Sequence, residues 1–127
     1  MKKNRPLNIN PLTIKLPIPA LVSISHRLSG VFIFMLIPWL LWMLSQSLAT
    51  EQSYLALKSY FESVGLRFLL WILLVGICFH LIAGLRHLLM DCHLGDSLKA
   101  GRMGSYLVIL FTLIFAIVTA LCLGSFS

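Results

Sequence analysis

Three long apolar runs, over residues 20–48, 67–90 and 104–124, constrain this chain more than any other feature. A helix needs about 20 predominantly apolar residues to cross a ~30 Å hydrocarbon core, and each run supplies them. Inside a bilayer only helices and closed barrels satisfy every backbone N–H and C=O. Apolar residues that run on without a two-residue alternation select the helix. The expected fold is an all-α membrane protein with three transmembrane helices. Composition points the same way: 59% of the chain is hydrophobic and 11% charged, whereas a water-facing domain carries roughly 25% charged residues. At 127 residues there is room for one domain.

The stretches between the runs divide the chain further. Residues 1–19 are basic and punctuated by Pro6, Pro11 and Pro17, hence extended rather than helical. Pro19 suits the first turn of helix I, expected over 20–48, where its missing N–H costs nothing. At ~1.5 Å per residue that helix is on the order of 43 Å long, so its first turns lie in the membrane interface, and Pro38 is expected to kink its middle. An outer loop follows over 49–66, with a short interfacial helix expected within it. Helix II then spans 67–90, a polar loop 91–103, and helix III 104–124.

The formal charge of +6 is unevenly placed. Lys2, Lys3, Arg5, Lys15 and Arg27 precede or open the first run, and Arg86, Lys99 and Arg102 surround the second loop. Basic residues mark cytoplasmic segments, which puts the N-terminus in the cytoplasm and the C-terminus in the periplasm of a bacterial inner membrane. The aromatic–basic interleaving of single-strand binders is absent, so no nucleic-acid partner is expected, only membrane lipid. The first run is too long for a signal-peptide core and reads as an uncleaved span. Cys78, Cys92 and Cys122 follow no metal or redox spacing and read as reduced thiols.

An ionisable residue inside a membrane is costly and carries a functional hypothesis by default. His80 is the sharpest case, six residues before Arg86 and so ~9 Å inside the boundary that Arg86 marks. Gly76, His80, Gly84 and His87 share one helix face. Two glycines beside an imidazole make a flat strip on which a planar macrocycle could lie. The same pattern also describes a small-residue packing seam with His80 bonded to a neighbouring helix, or a proton relay. Pattern alone leaves all three open. His80 and His87 cannot both ligate one haem, because seven residues separate them by ~10 Å, whereas axial nitrogens at ~2 Å bonds stand about 4 Å apart. A haem on His80 would draw its second ligand from another membrane chain, since haem sites in bundles use facing helices.

Ser23, His26, Arg27 and Gly30 share one face of helix I. A hydroxyl, an imidazole and a guanidinium at the interface suit an amphipathic quinone. Ser23 can donate to a carbonyl oxygen, and Arg27 can stabilise the anion formed on one-electron reduction. On pattern alone the bland alternative is the favoured one: a basic anchor at a cytoplasmic helix end. In helix III, Ser105, Thr112, Ala116, Thr119 and Ala120 suggest close packing, with no chemistry.

Ser23-Ile24-Ser25-His26-Arg27-Leu28-Ser29-Gly30 resembles the S-x-x-H-R-x-S/T-G signature of the succinate dehydrogenase cytochrome b556 subunit family. The segment from His80 to Asp91 resembles its H-x-x-x-G-x-R-H-x-x-x-D signature, and Arg5-Pro6-Leu7 and the apolar third run also fit. The resemblance implies the larger membrane anchor of complex II, part of a heteromeric helix bundle. Its partners would be a flavoprotein, an iron–sulfur protein and a second anchor. It implies His80 as axial ligand of haem b iron, the other ligand coming from the second anchor. It also implies Ser23 and Arg27 at the ubiquinone site, and His26 near that site and the haem propionates. His87 and Asp91 match without an assigned role. Two other functions compete with this one: a cytochrome b anchor of another quinone-linked complex such as fumarate reductase, and a purely structural membrane anchor.

Overall fold

The computed structural model describes residues 16–95 and 97–124. Their elements are α1 (Ile18–Ala49), α2 (Glu51–Tyr60), α3 (Val64–Asp91) and α4 (Leu98–Gly124), with no strand among the described residues. The basic segment over 1–15 lies outside them. Helices α1, α3 and α4 are each long and apolar enough to cross a membrane. This is a multi-pass, all-helical membrane protein.

Local sequence explains where each helix begins. Pro17 sits in extended backbone as the N-cap of α1 and Pro19 follows inside the first turn, where no N–H is missed. The helix continues through Pro38, whose ring removes one backbone donor from the ladder. Thr50 ends α1 and opens α2 through a capping box. Its hydroxyl accepts from Ser53 N at 3.0 Å, and Ser53 Oγ accepts from Thr50 N at 3.1 Å. Ser53 Oγ also donates to Gln46 O at 2.7 Å, which ties α2 to the last turn of α1. Ser63 caps α3 by accepting from Leu66 N. The turn into α4 uses positive φ at His93 and Gly95. Ser97 Oγ then accepts from Ala100 N at 3.2 Å, a cap that starts α4 at Leu98. Residues 98–103, expected in a loop, are therefore helical; an isolated serine ahead of Lys-Ala-Gly-Arg is a weak start signal.

Helix α3 packs most extensively against the others, and α1 and α4 also touch, so the three long helices form a bundle. One buried residue from each long helix joins a shared core near the start of α1: Val22, Ala83 and Val108, with Ile18, Phe79 and Ile82 packed against them. Ala83 and Ser105 are both fully buried. Small side chains at the crossing let backbones approach, the usual source of helix association in lipid. Arg86 holds α3 to α4, its Nη2 donating to Gly101 O at 3.1 Å. Gly104 leaves room for its stem, since a Cβ there would stand 3.2 Å from Nε. Trp71 Nε1 ties the opposite end to Ala116 O at 2.9 Å. Cys78, Cys92 and Cys122 are free thiols. The outward faces are apolar, with Phe34, Met35 and Leu121 all about 70% exposed, as suits contact with lipid tails or other membrane helices.

Candidate functional site

The three ionisable rings of the α1–α3 crossing gather where two glycines make room for them. A Cβ on Gly30 would stand 2.9 Å from His80 Cε1, and a Cβ on Gly84 would stand 3.2 Å from His26 Nε2. Each helix thus offers a histidine to the glycine of the other. The His26 and His80 rings stack at 4.2 Å between centroids and 17° between planes. His26 also meets His87 in a tilted contact at 5.2 Å. All three rings are half-buried.

Hydrogen bonding ties one nitrogen of His80 to α1. Its Nδ1 lies 3.0 Å from Ser29 Oγ and 3.1 Å from the backbone oxygen of His26. A carbonyl only accepts, so Nδ1 carries the proton. Ser29 Oγ spends its own hydrogen on His26 O at 2.8 Å, which leaves it a lone pair for the same Nδ1–H. In the neutral ring the lone pair then falls on Nε2. This is the arrangement found in metal-binding histidines, which almost always donate the other ring N–H to a neighbouring acceptor. The donor set fits a haem iron: one half-buried imidazole whose Nδ1 is committed to α1.

The glycine strip on α3 is occupied by α1 at Gly84. The ring of His26 fills the space at Gly84, and at Gly76 the nearest atom to an added Cβ is in Phe32, at 4.0 Å. Gly84 thus makes room for a ring from α1. The packing interpretation holds in part for His80, because one of its nitrogens bonds to α1. The two roles coexist since an imidazole has two nitrogens.

The face predicted on α1 is divided. His26 turns into the crossing, while Ser23 is half-buried and Arg27 exposed. Asp91 ends α3, exposed. Among the described residues no three His, Cys, Asp or Glu side chains converge on a position that would hold a metal ion, so a metal at His80 needs donors from elsewhere. Sequence reasoning missed Ser29 as a partner of His80. Its one available signal was a hydroxyl three residues after His26, on a face that also carries Val22 and Ile33.

The family profile described as succinate dehydrogenase/fumarate reductase transmembrane subunit matches residues 1–119. The chain is 35% identical over 121 residues to the succinate dehydrogenase cytochrome b556 subunit of Coxiella burnetii, covering 94% of this chain and 96% of that one. It is 33% identical over 104 residues to the protein of the same name from Rickettsia prowazekii, covering 81% of each. Against the Paracoccus denitrificans protein of that name it is 26% identical over 120 residues, covering 91% and 89% respectively.

Proposed function

The chain belongs to the succinate dehydrogenase/fumarate reductase transmembrane subunit family, and from that premise we propose that it is the membrane-anchoring cytochrome b subunit of a succinate:quinone oxidoreductase. The observation that carries the reading is the placement of His80, whose Nδ1 lies within hydrogen-bonding distance of His26 O and Ser29 Oγ, which suits the tautomer with its lone pair on Nε2. Its Nε2 lone pair is what a haem b iron would take as one axial ligand, the second anchor subunit supplying the other. When bound, the haem contributes a one-electron redox centre. The three curated relatives are named for succinate dehydrogenase, which favours succinate over fumarate as the partners' substrate.

This polypeptide contributes nothing to succinate oxidation, which belongs to the flavoprotein and iron–sulfur partners. Its own residues act on the quinone. Ser23, half-buried near the start of α1, donates to a ubiquinone carbonyl oxygen and orients the ring. Arg27, exposed one turn further on, places a permanent positive charge where negative charge develops on that oxygen. His26, stacked on His80, would be this chain's residue for the haem propionates. The basic N-terminal segment faces the cytoplasm of a bacterial inner membrane, where the soluble partners dock, and the C-terminus faces the periplasm.

The test is the redox absorption spectrum of the purified complex carrying His80→Ala. Loss or a high-spin change of the haem band supports the assignment, and an unchanged bis-imidazole spectrum refutes it.

A further inference from the structure

We propose that Ser29 is the positioning residue of the haem ligand, setting both the tautomer and the donor strength of His80; this rests on the haem assignment above. The argument starts from a hydroxyl with two distinct tasks. Ser29 Oγ donates to the His26 carbonyl one turn back at 2.8 Å, a bond that serine commonly makes in helices and that alone would imply no function. Its oxygen also stands 3.0 Å from Nδ1 of His80, fifty-one residues away on α3. With its hydrogen committed to His26 O, that oxygen can only accept. His26 O, 3.1 Å from Nδ1, can only accept as well. Nδ1–H thus faces two acceptors and no donor.

The consequence is electronic as well as geometric. A proton on Nδ1 drawn toward two oxygens leaves more electron density on Nε2. A more basic imidazole is a stronger ligand to iron, and it favours the oxidised metal over the reduced one. The contact also fixes the ring's rotation, because Gly30 gives the Cε1 edge its space with no Cβ to fend it off. Ser29→Ala removes one acceptor and keeps the other. His80 therefore keeps its tautomer and still ligates, but as a weaker donor. The haem stays and its midpoint potential moves positive. A tenfold change in the iron's preference between its oxidation states corresponds to ~59 mV for one electron.

Redox titration and low-temperature electron paramagnetic resonance of the intact four-subunit complex test this. Ser29→Ala is expected to retain haem at wild-type stoichiometry, with a positive potential shift of up to about tenfold in that preference and altered low-spin g values. Ser29→Thr, which keeps the hydroxyl, is expected to restore both. Where the alanine variant fails to assemble, Ser29→Cys keeps the volume with only a weak acceptor and is expected to give the same positive shift. A fully haem-loaded Ser29→Ala complex with wild-type potential and g values overturns the proposal. So does a threonine variant that shifts as far as alanine, which would trace the effect to packing. Should His80→Ala retain the bis-imidazole spectrum, the haem reading itself falls. If His80→Ala loses that spectrum while Ser29→Ala changes nothing, only the Ser29 proposal falls.

Discussion

Replacing Gly30 by alanine tests the α1–α3 crossing with a single methyl group. The added Cβ would lie 2.9 Å from His80 Cε1, with Nδ1 at 3.6 Å and Nε2 at 3.8 Å. Carbon atoms in contact prefer ~3.5–4.0 Å, so the ring must move by more than half an ångström or the helices must part. Overpacking of this kind costs about 1–3 kcal/mol. Alanine in place of glycine returns ~0.8–1.0 kcal/mol of helix propensity. The net change is roughly 0–2 kcal/mol of destabilisation, small enough for the complex to assemble. The displaced ring is the sensitive reporter. Moving Cε1 away from Gly30 also lengthens the 3.0 and 3.1 Å contacts at Nδ1, toward distances at which hydrogen bonds fail. Haem content per complex and the low-spin absorption band should both fall in Gly30→Ala. Gly65→Ala is the control, since nothing lies within 4 Å of a Cβ there, and it should change neither. A Gly30→Ala complex with full haem, wild-type spectrum and wild-type stability would refute the packing argument.

Arg27→Ala should cut quinone reduction by ~10- to 150-fold, the rate equivalent of losing a charged hydrogen bond worth about 1.5–3 kcal/mol. Succinate oxidation measured with an artificial dye should persist, and a wild-type quinone rate would remove Arg27 from the site. Arg86→Met should be tolerated to within about 1 kcal/mol in thermal dissociation of the complex, because Gly101 O keeps its bond from Ser105 Oγ at 2.8 Å and one uncompensated buried Nε is removed. A collapse of assembly would show that the guanidinium does more than join α3 to α4. A reporter fused after Ser127 should be active in the periplasm, and cytoplasmic activity would invert the topology.

The architecture was legible because a bilayer leaves few choices: three long apolar runs select helices, and the Pro19 signal at the start of the first is local. The start of α4 was less so, since Ser97 as a cap is one polar residue among several in a short loop. Helical periodicity placed His80, Gly84 and His87 on one face of α3, and Ser23, His26, Arg27 and Gly30 within one sector of α1. It could not say which face meets which. The pairing of His80 with Gly30 and of His26 with Gly84 depends on how deeply two helices interlock, a tertiary quantity. For the same reason Gly84 looked like part of an open strip, when it is the socket for a ring from α1. Ser29 stayed hidden because its local bond to His26 O is what any helical serine makes, and its second task appears only when α3 is in place.

The most direct test of His80 as a haem b ligand is chemical rescue. In a complex carrying His80→Gly, free imidazole can occupy the vacated position and supply the missing nitrogen. The account predicts that the low-spin electron paramagnetic resonance signal disappears in the variant and returns on titration with imidazole. A variant that keeps the wild-type bis-imidazole signal without added imidazole would contradict it.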